Sequence, residues 1–233
     1  MPMDELTRGF VQAIQLILSA DPALFEIIFL SLRVTGLALL ISTIVGVPTG
    51  AALGLSRLRA RGLITALLYT GMGLPPVVVG LFVYLMLSRS GPFGVLSWLF
   101  TPSAMVVAEI IISFPLVTGL TMTAVQGTDP ALRVQVRSLG ATRWQEIWAV
   151  LSEARIGVVA ASVAAFGSII SEVGAVMLVG GNIDGKTRVL TTAIVLNTRT
   201  GDFVLAIALG IILLTLAFVA NAAMLRLQGR MGD

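Results

Sequence analysis

Long uncharged stretches dominate this chain. Residues 34–56, 62–88 and 203–225 hold no charge; Glu109 is the one charge in 90–128, and Glu172 the one in 156–183. An apolar helix crosses a bilayer with about 20 residues, so the pattern predicts five spans at about 28–55, 62–87, 104–126, 156–181 and 203–225. The fold class is therefore all-α, a polytopic membrane protein. No repeat, linker or low-complexity tract divides it, so residues 1–233 are read as one domain. Before the first span, Phe10, Ile14, Ile17 and Leu18 recur at helical spacing until Asp21-Pro22 closes the run. Asp4 and Glu5 argue against a signal peptide. An amphipathic helix lying in the outer membrane interface fits better.

Residues 127–155 are the one sizeable polar loop, and they read as helix, glycine, helix. Asp129 is placed to cap a helix that Pro130 begins. Gly140 ends it, in the position where a left-handed residue is favoured. Thr142 and Gln145 then form a capping-box pattern for a second helix. On that helix Trp144, Ile147, Trp148 and Leu151 make one apolar stripe, with Arg143, Gln145, Glu146 and Ser152 on the opposite face. Such a hairpin either lies on the membrane with its tryptophans among the headgroups, or docks its ridge into a partner's groove.

Small and cyclic residues mark where spans pack and break. Gly46, Gly50 and Gly54 share one helix face, a spacing that permits close helix approach in lipid; packing within the chain is preferred over a subunit contact. Pro48 and Pro115 predict bends. At mid-membrane, Gly71-Met72-Gly73-Leu74-Pro75-Pro76-Val77-Val78-Val79-Gly80 removes two backbone donors in succession. Irregular backbone at that depth is tolerated where protein buries it or a water-filled path runs beside it.

Composition narrows the chemistry. Hydrophobic residues make up 57% of the 233 and charged ones 12%, about half the charged share of a soluble domain. Cysteine and histidine are absent, which excludes disulfides, thiolate or imidazole metal sites and catalytic triads. A net charge of +3 is too dilute for nucleic acid. With the N-terminus outside, the inner loops collect nine cations (Arg57, Arg59, Arg61, Arg133, Arg137, Arg143, Arg155, Arg226, Arg230) and the outer segments five (Arg8, Arg89, Lys186, Arg188, Arg199). That bias predicts an outside N-terminus and a cytoplasmic C-terminus.

The segment Leu139-Gly140-Ala141-Thr142-Arg143-Trp144 resembles the EAA loop of binding-protein-dependent ABC importer permeases, whose short cytoplasmic helix docks on an ATPase subunit. Val134, Gln135 and Val136 stand where Glu-Ala-Ala would, and Ser152-Glu153 where proline is usual, so no acidic contact from the first helix is carried over. Residues 21–83, with Leu74-Pro75-Pro76, resemble the front half of molybdate- and tungstate-type permeases. Residues 171–183 resemble the stretch after their EAA loop, and 187–194 continue in the tungstate manner. The resemblance implies coupling to an ATPase through Leu139, Gly140, Ala141, Thr142, Trp144, Ile147 and Trp148. Pathway or gate candidates are Pro75, Pro76, Glu172, Gly174, Gly180 and Asn182. It also implies a second copy of the chain, two ATPase subunits and an external solute-binding protein, with no cofactor, metal or catalytic residue in this chain. The solute would be an oxyanion, tungstate or molybdate. A permease for another solute, or a self-sufficient secondary transporter or channel, are the rival readings.

Two features need separate weighing. Gly180-Gly181-Asn182-Ile183-Asp184-Gly185-Lys186-Thr187 satisfies the phosphate-binding pattern G-x-x-x-x-G-K-[ST]. A phosphate-binding loop belongs to a parallel sheet with helices on both faces, and a chain committed to the bilayer leaves none, so the match is read as chance. Lys186 and Arg188 are expected to meet an anion or the binding protein on the outer face. Glu109 and Glu172, alone in apolar runs, are functional candidates by default. Their expected work is structural, accepting bonds from Arg33, hydroxyls or freed backbone amides; a proton relay is the lesser alternative.

Overall fold

The computed structural model describes residues 2–19, 22–56 and 61–230. Arg57 and Arg59 of the arginine count, and Asp21, lie outside the described residues. Within them are eleven α-helices, one 3-10 turn and no strand: α1 Pro2–Leu18, α2 Pro22–Leu55, α3 Arg61–Met72, α4 Pro76–Leu87, α5 Pro102–Gln126, α6 Pro130–Ser138, α7 Arg143–Glu153, α8 Arg155–Ile170, α9 Gly174–Gly180, α10 Leu190–Thr200 and α11 Phe203–Arg230. Three continuous helices are long and apolar enough to cross a membrane, within α2, α5 and α11, and the count reaches five when two bent pairs, α3 with α4 and α7 with α8, are each taken as one span.

Two expected spans are interrupted. The run 62–87 parts into α3 and α4 around Gly73–Pro75, because Pro75 sits at the cap of α4 and Pro76 at its first position, where a missing N–H costs nothing. The run 156–181 parts into α8 and α9 at residues 171–173. Pro48 and Pro115, by contrast, stay inside continuous helices.

The described residues cluster into two compact units. One comprises residues up to Leu37, Pro75–Glu109 and Ile169–Asn221. Its core joins Ala13, Leu24, Leu190, Ala193, Leu209 and Ile212. α1 contributes Ala13, and Gly9 lies against Ile207 so closely that a Cβ would overlap it. The stripe of Phe10, Ile14, Ile17 and Leu18 stays exposed. In the same unit α4 and α9 pack through Gly80 on Ala175 and Gly174 on Val77.

The other unit comprises Ala38–Leu74, Ile110–Ser168 and the residues from Ala222. Here the glycine face of α2 meets α5: a Cβ at Gly46 would stand 3.0 Å from Val117, one at Gly54 would stand 2.9 Å from Val125, and one at Gly50 would overlap the Thr118 carbonyl. The expected packing within the chain is thus what the stripe does. Ser42 and Ser113 join their hydroxyls at 2.7 Å across the same contact.

Candidate functional site

The helical hairpin of α6 and α7 is built by local chemistry. Asp129 accepts a bond from the Ala131 amide at 2.8 Å, and Pro130 follows at the first helical position. Gly140 takes φ of 81° after α6. Thr142 and Gln145 complete both halves of the capping box, at 2.8 and 3.4 Å. A second lock was not legible in the apolar pattern: Arg133 Nε donates to Glu146 Oε1 at 3.0 Å and Arg137 Nε to Oε2 at 2.8 Å. Arg133 Nη2 also donates to the Leu55 carbonyl at 3.3 Å. Glu146 therefore does not face solvent as the helical wheel placed it; its side chain is 6% exposed. The Arg137 hydrogen bond holds its carboxyl below the ordinary glutamate range, with Arg133 adding to the effect against the opposing cost of burial. The signal that could have found it is an arginine pair at i, i+4 followed by an acid early in the next helix.

The apolar stripe on α7 also divides. Ile147 and Leu151 pack on a core of Ala51, Val125, Val150 and Ala154. Trp144 and Trp148 remain 75% and 70% exposed, and Leu139 beside Gly140 is exposed as well. So Ile147 and Leu151 anchor the hairpin, while Leu139, Trp144 and Trp148 form its open ridge. Ala141 and Thr142 are the short link that sets the angle between the helices.

Around the break before α9 a second group gathers within one unit. The Glu172 carboxylate accepts the Ala175 amide at 2.9 Å, capping α9, and its backbone carbonyl accepts the Thr191 hydroxyl at 3.0 Å. The Leu190 amide donates to the Ser31 hydroxyl at 2.9 Å, and Glu109 bonds the Thr35 side chain. A cavity of about 10 Å³ lies among these groups, room for about one water. The Glu172 carboxylate thus holds a freed amide and Glu109 a hydroxyl, while Arg33 is exposed. Val77, which follows Pro76, meets Gly174 and Glu172 where α4 meets α9; Gly180 sits farther along α9 against Met105, and Asn182 follows with φ of 50°.

The segment 180–187 is not a phosphate cradle. A helix, not a strand, leads into it. Thr187 is fully buried, and its hydroxyl donates to the Gly180 carbonyl at 2.6 Å while accepting the Ile183 amide at 2.9 Å. The group that would hold magnesium in a nucleotide site is consumed in closing the loop. Lys186 is exposed, whereas Arg188 is half-buried and paired with Asp184 at 2.6 Å.

An all-helical chain with apolar spans, two broken helices and a clamped amphipathic hairpin has the make-up of a multi-pass membrane permease. Residues 46–233 match the family described as binding-protein-dependent transport system inner membrane component, and the chain belongs to that family. It is 41% identical over 226 residues to the tungstate uptake system permease protein TupB of Peptoclostridium acidaminophilum, covering 97% of this chain and 99% of that one. It is 42% identical over 212 residues to a probable anion ABC transporter permease protein of Haloferax volcanii, covering 89% and 91%. To the molybdenum transport system permease protein ModB of Escherichia coli K12 it is 30% identical over 181 residues, covering 74% and 79%. Its fold also matches a bacterial alginate ABC transporter solved with an alginate-bound periplasmic protein, at a TM-score of 0.79 and 22% identity over 99% of this chain and 88% of that one.

Proposed function

We propose that this chain is the membrane subunit of an ABC importer that moves tungstate, with molybdate as the nearest other cargo, from an external binding protein to the cytoplasm. The observation that carries the reading is the 41% identity to a tungstate permease along 97% of the chain. In this reading two copies form the path and two ATPase subunits drive it, so the chain itself hydrolyses nothing. The ridge of Leu139, Trp144 and Trp148 enters the ATPase groove. Ile147 and the Glu146 clamp hold that ridge rigidly to the rest of its unit, so that movement of the ATPase is transmitted rather than absorbed. Pro75, Pro76, Glu172, Gly174, Gly180 and Asn182 mark the segments that open and close, since broken helices concentrate backbone freedom where a path runs. Lys186 faces the binding protein. α1 lies on the outer membrane surface with Phe10, Ile14 and Ile17 in lipid.

Proteoliposomes holding this chain, its ATPase and the tungstate-loaded binding protein should accumulate tungstate on ATP addition, with sulfate a poor competitor. Uptake without ATPase would point instead to a secondary transporter. On this chain without cysteine, single cysteines at Ser90 and Thr198 should react with an impermeant reagent applied outside, and one at Ser138 only after permeabilisation; the opposite pattern would reverse the topology.

A further inference from the structure

A cavity of about 710 Å³ lies between the end of α2 and the α6–α7 hairpin, within one unit. It falls inside the usual size of ligand pockets, about 300–1,000 Å³. Arg133, Arg137 and Arg143 line it, beside Leu55, Pro130 and Val134. The same arginines border a smaller cavity of about 230 Å³, where Glu146 is the only acid in the wall. Glu146 engages Arg133 and Arg137 through their Nε atoms alone. Among the described residues, Arg137 gives neither terminal nitrogen to a hydrogen bond, and Arg143 makes no ion pair. Both side chains are exposed, so these donors reach the open space. Three guanidinium charges against one carboxylate leave the wall with two positive charges in excess. Arg143 also stands at the first position of α7, where the helix dipole disfavours a cation. An anion in the cavity would relieve both costs.

We propose that this cavity holds the phosphate of an anionic phospholipid, bound by the terminal nitrogens of Arg137 and by Arg143, with Arg133 adding charge. Guanidinium forks match phosphate oxygens, and a phosphodiester accepts hydrogen bonds without donating any. Placement decides the source of the phosphate. Leu55 is the last residue of α2, a helix long and apolar enough to cross the membrane, so the cavity stands where a span gives way to headgroups. Leu55, Pro130 and Val134 offer apolar contact to the glycerol end of the lipid. In the sequence Arg57, Arg59 and Arg61 follow α2 directly, and clusters of about four to eight cations just beyond a span attract anionic lipid. On the proposed orientation this is the cytoplasmic leaflet, whose surface is negative. Trp144 and Trp148 are not in the wall of either cavity, so a lipid here leaves the exposed ridge free. The proposal is independent of which solute the permease carries.

The test is native mass spectrometry and thermal unfolding of the detergent-solubilised full chain with three probes: phosphatidylglycerol, diacylglycerol and inorganic phosphate. Phosphatidylglycerol should stay bound and raise the unfolding temperature, while diacylglycerol and phosphate should do neither. Arg143→Gln should unfold like wild type without lipid, yet bind phosphatidylglycerol about fivefold more weakly, the attraction one arginine supplies near a membrane surface. Val134→Glu keeps all three arginines and sets a carboxylate among them, so it should weaken binding at least as much. Wild-type binding in both variants would overturn the site. Equal stabilisation by inorganic phosphate would overturn the lipid, and equal retention of diacylglycerol would overturn the role of the arginines. Repeating the binding with the ATPase assembled separates a lipid from a protein partner: phosphatidylglycerol should remain, and its displacement would assign the arginines to acidic side chains of the ATPase instead. Should Arg143→Gln fail to fold, Val134→Glu and the wild-type arms still decide.

Discussion

Replacing Glu146 with glutamine keeps the side chain's size and removes the charge that binds α6 to α7. Two guanidinium hydrogen bonds of 3.0 and 2.8 Å end on this carboxylate. Each bond to a charged group is worth about 1.5–3 kcal/mol, and glutamine retains one acceptor oxygen. The arginine side chains are 32% and 60% exposed, so they recover hydration and the net loss should be about 1–2 kcal/mol. That corresponds to roughly 5–30-fold more frequent opening of the hairpin. Hydrogen exchange of the chain in nanodiscs should show this increase across residues 130–142, with α5 unchanged, because Ile147, Val150 and Leu151 still hold α7. A pH series adds a sign. The Glu146 carboxyl is depressed in the folded state, so its contribution is complete above the ordinary glutamate range and fades as pH falls through the lower folded value. After correction for intrinsic rates, wild-type exchange should be flat through neutral pH and rise only below the ordinary glutamate range, whereas the glutamine variant should lack that acid rise. Unchanged exchange in Glu146→Gln, or loosening spread equally over α5, would refute the clamp.

Gly140→Val should cost about 1–2 kcal/mol through backbone strain alone, since a Cβ there meets nothing within 4 Å. Gly140→Asn should be milder because asparagine tolerates positive φ, and the pair should rank the same way in ATPase co-purification. Trp144→Ala should leave thermal stability unchanged but reduce ATPase co-purification. Ile147→Ala should lower both, because its side chain packs on the core beneath the hairpin.

What could be read in the sequence divides by range. The caps at Asp129 and Thr142 and the turn at Gly140 follow from chemistry between residues a few positions apart, and each stands where the pattern placed it; Pro75-Pro76 was legible as irregular backbone within one span, and it separates two helices. The glycine face of α2 was legible as a packing surface because its spacing is regular. Its partner on α5 carries no matching sign, since Thr118, Thr121 and Val125 resemble any apolar helix. The burial of Glu146 was hidden because amphipathic counting assigns acids to solvent, and only the three-dimensional approach of Arg133 and Arg137 reverses that. The break before α9 was hidden for a related reason: no proline marks it, and a carboxylate side chain supplies the cap.

The segment 180–187 shows how a pattern can be complete while its chemistry is already committed, and Thr187 makes the point measurable. Its hydroxyl holds the Gly180 carbonyl and the Ile183 amide at once, in full burial. Thr187→Val preserves shape but leaves both backbone groups without that partner, at about 1–3 kcal/mol for each buried group left unmet. Thr187→Ser keeps the hydroxyl and should lose little. In a nucleotide site the valine variant would abolish hydrolysis by removing a magnesium ligand, and Lys186→Ala would do the same by removing a phosphate contact. Here the expectation is the reverse for hydrolysis and specific for structure. Thr187→Val should speed exchange or proteolysis at 180–188, Lys186→Ala should not, and ATP hydrolysis by the assembled complex should persist in both. Loss of all hydrolysis in Lys186→Ala with the complex intact would return the segment to phosphate binding; wild-type exchange in Thr187→Val would remove the hydroxyl from its role as the loop's fastening.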